Sequence, residues 1–253
     1  MKRLAGKIAL LTGASSGIGA GTAQRLAKEG ATVILVARRL ERLQKLKTKI
    51  QGEGGRALAI GGDVTSIEDC HNIFQETIEK FGRLDILVNN AGAGDHHQPI
   101  TRVANDFWDK IIELNQKSIF TFCKEALKYM EPSGQGSIIN ISSIAGVYAN
   151  AGAAYSTSKF AVIGLSKNIA LQYAGTNIRC NVICPGPTPT EIFSPENMDK
   201  MDTAFADICA RHSDLTVGQS TVEDQANAIL FFASDESKSI TGQVLIVDRG
   251  MCL

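Results

Sequence analysis

The chain has 253 residues, 44% of them hydrophobic and 21% charged, and its 26 lysines and arginines balance 26 aspartates and glutamates. This length allows one large domain or two small ones, each with a sizeable core. Because the chain has no net charge and no basic run, its composition argues against a nucleic-acid or membrane-surface partner. Small-molecule chemistry is the favoured function class.

The six cysteines lack the paired spacing of metal sites and small disulfide scaffolds, and we predict that they are reduced and mostly buried: Cys70, Cys123, Cys180, Cys184, Cys209 and Cys252. The apolar stretch near the N-terminus is only four residues long, too short for a signal peptide. No segment approaches the roughly 18 apolar residues of a membrane span. These features predict a cytoplasmic protein.

Short apolar runs alternate along the chain with longer segments of helical periodicity. Runs that are apolar on both faces are typical of parallel strands covered by helices. The predicted strands are residues 8–11, 33–36, 57–60, 86–88, 137–141, 178–183 and 244–247. They indicate an α/β protein with a doubly wound Rossmann fold, in which a seven-stranded parallel sheet is flanked by helices.

The intervening segments carry apolar residues at spacings of three and four, as amphipathic helices do. The predicted helices are residues 17–29, 40–51, 66–81, 105–130, 155–173 and 222–234, and the fourth is long enough to be two consecutive helices. No repeat or linker divides the chain, so we predict a single dinucleotide-binding domain over residues 1–253. The segment from about 191 to 218 mixes polar and apolar residues, and we predict that it forms a lid over the substrate.

A glycine-rich turn, Thr12 to Gly19, joins the first predicted strand to the first predicted helix. Glycine at positions 13, 17 and 19 permits a tight turn and a close approach of backbone to a pyrophosphate. The N-terminus of the following helix offers amide groups and a positive dipole to the same anion. The turn therefore predicts a dinucleotide-binding site.

Tyr155 and Lys159 lie four residues apart in a predicted helix, so their side chains share one face. A phenol has an ordinary pKa of about 10, and a neighbouring ammonium can lower that pKa. The pair is a candidate proton donor and acceptor.

The order and spacing of these motifs resemble the short-chain dehydrogenase/reductase family over essentially the whole chain. The further family marks are Asn89-Asn90-Ala91-Gly92 after the fourth strand, Asn115, Ser142 located 13 residues before Tyr155, and Pro185-Gly186 after the sixth strand. The resemblance implies an enzyme that interconverts a ketone and a secondary alcohol. It also implies a homotetramer.

The resemblance assigns four catalytic residues. Tyr155 would be the general acid in ketone reduction and the general base in alcohol oxidation. Lys159 would lower the pKa of Tyr155 and bind the nicotinamide ribose. Ser142 would hold the substrate oxygen, with Ser143 as an alternative donor. Asn115 would position a water between Lys159 and solvent.

The second strand ends in Val36-Ala37-Arg38-Arg39. An acid at this point would accept hydrogen bonds from the adenosine ribose, whereas an arginine suits a 2′-phosphate. We therefore predict NADP(H), with Arg38 as the main contact and Arg39 as a second, although Ser16 stands where many NADP-using relatives carry a basic residue. The remaining cofactor contacts implied by the resemblance are Gly13, Ser15, Ser16, Gly17, Ile18, Gly19, Asp63, Val64, Asn89 (favoured over Asn90), Ala91, Gly92, Tyr155, Lys159, Pro185, Gly186, Thr188 and Thr190.

Residues 93–97, residues 147–150 and the predicted lid should surround the substrate, the lid through its apolar residues Ile192, Phe193, Met198, Met201 and Phe205. The adjacent histidines His96 and His97 point apart and have no third ligand at useful spacing, so we predict no metal.

An apolar lid over a polar catalytic group suits a hydroxysteroid, a bile acid or another alicyclic ketone. A 3-oxoacyl-acyl-carrier-protein reductase is the alternative enzyme. A non-catalytic sensor that binds NADP(H) is the alternative of another class.

Overall fold

The computed structural model describes residues 2–253, and the side chain of Phe193, expected in the lid, lies outside the described part. The strands are β1 (Ile8–Thr12), β2 (Thr32–Ala37), β3 (Arg56–Gly61), β4 (Ile86–Asn89), β5 (Gln135–Ile141), β6 (Asn177–Pro185) and β7 (Val244–Val247). The helices are α1 (Gly17–Lys28), α2 (Leu40–Gly52), α3 (Ile67–Phe81), α4 (Asn105–Ile112), α5 (Ser118–Ser133), α6 (Ala145–Tyr148), α7 (Ala153–Gln172), α8 (Pro195–Met198), α9 (Thr203–Ala210) and α10 (Val222–Ala233).

The seven strands form one sheet in the order β3-β2-β1-β4-β5-β6-β7, and every neighbouring pair is parallel. The predicted doubly wound fold is therefore confirmed. Successive residues of β1 supply opposite cores: Ile8 and Leu10 pack with α3, α5 and α7, whereas Ala9 and Leu11 pack with α1, α2 and α10. Because both faces of this strand are buried, the strand is apolar at nearly every position.

The segment predicted as two helices over residues 105–130 is a continuous helical run with one irregular turn. The π-helical turn Glu113–Lys117 joins α4 to α5, and its flanking residues Ile112 and Ser118 keep right-handed helical dihedrals. A π-turn widens the helix at one point without ending it, and such turns are frequent at functional sites. Asn115 lies at the centre of this turn and is fully buried.

The chain order reverses between β1 and β4, which are neighbours in the sheet. In open α/β sheets, ligands bind at the carboxyl ends of the strands beside such a reversal. The glycine turn follows β1, the two arginines follow β2, and the Asn89-Asn90 pair ends β4. The topology therefore brings the predicted motifs to one edge of the sheet.

Among residues 2–253, no helix has the length and apolarity needed to cross a membrane.

We predict that Gly19→Ala destabilises the protein, because a Cβ at this position would lie 2.2 Å from the Gly13 carbonyl oxygen and 2.6 Å from Asn90 Nδ2. Overpacking of this kind costs about 1–3 kcal/mol. Gly52→Ala is the matched control, since a Cβ there meets nothing within 4 Å. Urea unfolding should show a loss for Gly19→Ala and a change within about 1 kcal/mol for Gly52→Ala. Equal unfolding midpoints for the two variants would contradict the packing argument.

Candidate active site

The glycine turn lies against the loop that follows β4. Gly13 has a φ of +67°, and a Cβ there would lie 2.7 Å from Asn90 Nδ2 and 2.9 Å from Ala91 Cα. Gly17 has a φ of +53°, and a Cβ there would lie 2.9 Å from Thr190 Cγ2. The side chain of Ser16, the N-cap residue of α1, makes no capping hydrogen bond, and the first turn of α1 carries no acidic residue. The turn therefore leaves backbone and a helix N-terminus facing the cleft, as an anion site requires.

Asn89 and Asn90 point in different directions. Asn89 is buried and donates to Asn140 Oδ1 at 2.8 Å, away from the cleft. Asn90 lines the cleft and donates to the carbonyl oxygens of Thr12 and Gly13 at 3.2 and 3.3 Å. The Asn89 side chain thus ties β4 to β5, and of the two asparagines it is Asn90, not the favoured Asn89, that lines the cleft.

Arg38 and Arg39 occupy different environments at the end of β2. Arg38 has 76% of its side chain exposed and lies 4.0 Å from Asp63 Oδ2. Arg39 Nη2 donates to Ser15 Oγ at 2.9 Å and Ser16 Oγ at 3.0 Å. Arg39 is therefore held over the glycine turn, whereas Arg38 is mostly exposed at the rim of the cleft, beside Asp63.

Two charged residues that sequence reasoning missed complete this edge. Arg39 donates to Glu191 at 2.7 Å, and Arg42 also pairs with Glu191. Arg42 lies in the first turn of α2, three residues after the N-cap residue Arg39, a position that is visible in the sequence. The sequence does not indicate the contact of Glu191 with these arginines, because Glu191 lies in the segment after β6, about 150 residues further along the chain.

The side chains of Ser142 and Ser143 have different neighbours. The Ser142 hydroxyl donates to the Lys159 carbonyl oxygen at 2.8 Å. The Ser143 side chain lies close enough to the Tyr155 phenol to lower its pKa, and both serines line the cavity. The alternative donor of the sequence analysis is therefore the serine that the structure places beside Tyr155.

Tyr155 and Lys159 lie on α7 with the ammonium beside the aromatic ring. Lys159 Nζ is 5.6 Å from the ring centroid and donates to the Ile141 carbonyl oxygen at 3.0 Å. Burial raises the pKa of Tyr155 to about 12 and lowers the pKa of Lys159 to about 8. Desolvation is thus the largest effect on the Tyr155 pKa, and the role of Lys159 in lowering that pKa stays a prediction.

Asn115 acts on the loop beside the catalytic pair. Its side chain accepts from the Ala93 amide and donates to the Ala93 carbonyl, both at 2.9 Å. It also donates to Ser158 Oγ at 3.2 Å, and Ser158 donates to the Tyr155 carbonyl at 2.7 Å. Asn115 thus connects the π-turn, the loop after β4 and α7.

Asp95 is a buried carboxylate at the N-terminus of α7. It accepts from the Tyr155 amide at 2.8 Å, and a Cβ on Gly152 would lie 2.2 Å from its Oδ1. An anion is favoured at a helix N-terminus, although burial raises the pKa of Asp95 and the nearby His97 opposes that rise. Burial also lowers the pKa of His97. Sequence reasoning placed both residues near the substrate but missed the contact between Asp95 and α7.

A cavity of about 820 Å³ runs through these groups. Its far part is lined mainly by apolar side chains, among them Phe107, Ile111, Leu114, Ile192, Met201 and Met251. Of the apolar residues expected in the lid, Ile192 and Met201 line the cavity, while Met198 is 45% exposed and is not among the lining residues described. The 191–218 segment therefore contributes to the lining of the cavity, and its role as a lid stays a prediction.

Most of the remaining predicted cofactor residues line the same cavity: Ile18, Asp63, Val64, Ala91, Gly92, Pro185, Gly186, Thr188 and Thr190. Thr188 is buried and donates to the Gly186 carbonyl at 3.0 Å, so its hydroxyl serves the loop. Gly19 packs behind the glycine turn instead. One continuous cleft thus joins a basic rim, a backbone anion site and a proton donor, and these features fit an extended dinucleotide.

We predict a pH-dependent stability effect from Lys159. Since its pKa falls from 10.5 to about 8 in the folded protein, the unfolded chain binds more protons between these values, and the free energy of unfolding rises with pH there. Lys159→Met removes this rise. From about pH 7 to about pH 9.5, the free energy of unfolding of the wild type should therefore rise by about 2 kcal/mol relative to that of Lys159→Met.

Urea unfolding at both pH values measures this change. Lys167→Met is the control, because Lys167 is exposed on the same helix. A pH-independent difference for Lys159→Met, equal to that of the control, would contradict the burial of a titrating ammonium.

Residues 7–201 match the family model for short chain dehydrogenases. The chain is 39% identical to 3beta-hydroxysteroid dehydrogenase of Mediterraneibacter gnavus, covering 99% of this chain and 96% of that protein. It is 37% identical to the 3-oxoacyl-acyl-carrier-protein reductase FabG of Thermotoga maritima, covering 99% and 100%. The crystal structure of levodione reductase superposes with a TM-score of 0.90 at 28% identity, covering 98% of both chains. This chain therefore belongs to the short-chain dehydrogenase/reductase family of oxidoreductases, which act on CH-OH groups with a nicotinamide cofactor.

Proposed function

We propose that this protein is an NADP(H)-dependent oxidoreductase that interconverts a ketone and a secondary alcohol on an apolar cyclic molecule, such as a hydroxysteroid or a bile acid. The observation that carries the proposal is the cavity in which Tyr155 and Ser143 face space lined largely by apolar side chains. Apolar contact supplies affinity in such a site, and a few polar groups fix the orientation of the ligand.

The proton chemistry centres on Tyr155. The nicotinamide supplies or removes the hydride. In reduction the Tyr155 phenol donates its proton to the substrate oxygen, and in oxidation the phenolate takes that proton back. A pKa raised to about 12 keeps the phenol protonated at neutral pH, which suits the reductive direction.

Ser143 is proposed as the group that orients the substrate oxygen, in place of Ser142. The Ser143 hydroxyl meets the Tyr155 phenol, so a ligand oxygen that reaches one of them lies within reach of the other. The Ser142 hydroxyl is already donated to the Lys159 carbonyl. A donor that is placed where charge develops on the oxygen stabilises the transition state.

Lys159 and Asn115 are proposed to support Tyr155 from behind. A pKa of about 8 leaves Lys159 able to gain or lose a proton near neutral pH, as a relay between Tyr155 and solvent requires. Lys159 would also bind the nicotinamide ribose. The Asn115 side chain already bonds to Ala93 and Ser158. The relay water would therefore bind the main chain of the π-turn, where the irregular helix frees backbone groups.

The cofactor choice rests on the basic rim of the cleft. Arg38 lies at the end of β2 with its guanidinium mostly exposed, and Arg39 lies beside the hydroxyls of Ser15 and Ser16. Planar guanidinium groups with neighbouring hydroxyls suit a phosphate monoester. These groups support NADP(H) with Arg38 and Arg39 as contacts to the 2′-phosphate.

The substrate class rests on the cavity and on charge. The relatives include a 3beta-hydroxysteroid dehydrogenase, and also a 7alpha-hydroxysteroid dehydrogenase of Clostridium sardiniense at 38% identity. The 3-oxoacyl-acyl-carrier-protein reductase is the second candidate, favoured by the FabG relative. The 191–218 segment argues against it, because a carrier protein needs a basic entrance, and the segment's lysines and arginines are Lys200 and Arg211, against the acids Glu191, Glu196, Asp199, Asp202, Asp207 and Asp214.

A homotetramer, a cytoplasmic location, and the division of the chain into one domain with a lid remain predictions. The same holds for the alternative of a non-catalytic NADP(H) sensor. Such a sensor needs no proton donor, so the placement of Tyr155 and Lys159 together in the wall of the cavity favours an enzyme.

We expect Ser143→Ala to lower kcat on the preferred ketone with NADPH by roughly 100-fold, the scale of a lost oxyanion donor. Tyr155→Phe should lower it by about 100-fold to 10,000-fold, the scale of a lost general acid. Ser142→Ala should keep kcat within several-fold and instead lower the free energy of unfolding by about 1 kcal/mol, because it loses a buried hydrogen bond.

Steady-state kinetics on a panel of steroids, bile acids, alicyclic ketones and 3-oxoacyl thioesters, together with urea unfolding, measure both effects. A larger loss of kcat in Ser142→Ala than in Ser143→Ala would reverse the assignment of the serine. Equal rates for wild type and Tyr155→Phe would leave the sensor as the better function. A preference for the thioesters would select the second candidate.

We expect Arg38→Asp to raise the KM for NADPH by about 10-fold to 100-fold, since hydrogen bonds to charged groups contribute about 1.5–3 kcal/mol. The KM for NADH should be unchanged, because NADH has no 2′-phosphate. Lys49→Asp, at the far end of α2, makes the same charge change as a control. An unchanged preference for NADPH over NADH in Arg38→Asp would refute the contact.

A further inference from the structure

The carboxylate of Glu191 reaches across the cleft to the rim opposite its own chain segment. Glu191 begins a 3₁₀ turn, Glu191–Phe193, at the start of the 191–218 segment. Its carboxylate accepts from Arg39 at 2.7 Å and from Ser16 Oγ at 3.1 Å, and it pairs with Arg42. The 191–218 segment is thus attached to the basic rim by one side chain.

The groups around Glu191 form a donor set for an anion. Two guanidinium groups and the Ser16 hydroxyl converge on one carboxylate, and Ser15 lies beside Arg39. Hydrogen bonds from Arg39 and then Arg42 lower the pKa of Glu191 to about 2, so Glu191 is a fixed negative charge at physiological pH. The Glu191 carboxylate therefore occupies a set of hydrogen-bond donors that suits a phosphate equally well.

This attachment is exchangeable. The side chains of Arg39, Arg42 and Glu191 are 44%, 48% and 47% exposed, and exposed ion pairs contribute little to stability because water screens them. A phosphate monoester carries more negative charge than a carboxylate and offers more acceptor oxygens. It can take the same donors and release Glu191.

We propose that Glu191 is a built-in competitor for the 2′-phosphate of the cofactor and couples the 191–218 segment to cofactor binding. A 2′-phosphate that Arg38 and Arg39 hold, with Arg42 as a further donor, displaces the carboxylate, and the start of the segment is then released from the rim. The coupling is reciprocal: whatever holds Glu191 on the rim weakens the binding of the 2′-phosphate by the same factor. This inference rests on the proposed preference for NADP(H).

Isothermal titration of 2′,5′-ADP and 5′-ADP tests the competition without catalysis, because the two nucleotides have the same number of phosphates at different positions. Glu191→Gln should bind 2′,5′-ADP about twofold to fivefold more tightly than wild type, the range that the loss of an exposed ion pair allows. Its affinity for 5′-ADP should not change. Glu196→Gln is the matched control, because Glu196 pairs with Lys200 within the same segment.

Hydrogen exchange of residues 191–198 tests the coupling. Their amides should exchange severalfold faster in Glu191→Gln than in wild type, and 2′,5′-ADP should produce the same acceleration in wild type, whereas 5′-ADP should not. Unchanged exchange in both experiments would overturn the coupling.

Three binding results would count against the competition: unchanged affinity for 2′,5′-ADP in Glu191→Gln, weaker affinity, or tightening for 5′-ADP instead. The proposed cofactor is judged separately, from the wild type alone. If wild type shows no preference for 2′,5′-ADP over 5′-ADP, the NADP(H) proposal fails. In that case a preference gained by Glu191→Gln still supports the competition, and no gain overturns both.

Discussion

The close contact between the glycine turn and the end of β4 is the constraint on which the active-site cleft depends. Gly13, Gly19 and Asn90 meet at distances that leave no room for a Cβ on either glycine, and Asn90 closes the contact with hydrogen bonds to the backbone of the turn. β1 and β4 are neighbours in space but far apart in sequence. Their junction places the N-terminus of α1 beside the loop that leads to Asp95, so that an anion site and a proton donor share one cleft.

Burial governs the chemistry of the catalytic pair. In water, a lysine near a tyrosine would be expected to ease ionisation of the phenol. Here desolvation acts on both groups in opposite directions, so the phenol keeps its proton more firmly and the ammonium releases its proton more easily. Both shifts favour the neutral forms. The Ile141 carbonyl and the aromatic ring hold Lys159 in place, while Asp95 fixes the first turn of the same helix.

Charge is distributed unevenly around the cleft. The rim that follows β2 is basic because it carries Arg38, Arg39 and Arg42. The 191–218 segment that lines the cavity is acidic, and its residue Glu191 pairs with Arg39 and Arg42. The two walls of the cleft are thereby connected through a contact weak enough to break. A ligand that reaches the basic rim acts on the 191–218 segment as well, which links cofactor recognition to the space where a substrate lies.

The sequence by itself determined the α/β architecture, the seven parallel strands and the positions of the motifs, because these follow from short-range periodicity and from fixed spacing along the chain. It placed Tyr155 and Lys159 on one helical face for the same reason. Only the tertiary structure decided how two pairs of adjacent residues divide their contacts. Ser143 lies beside Tyr155 whereas Ser142 bonds to the Lys159 carbonyl. Asn90 lines the cleft whereas Asn89 bonds to Asn140, since side-chain direction at the end of a strand depends on how the chain turns there. It also decided the contacts of Asp95 and Glu191, because these carboxylates meet partners on other elements that no local pattern connects to them.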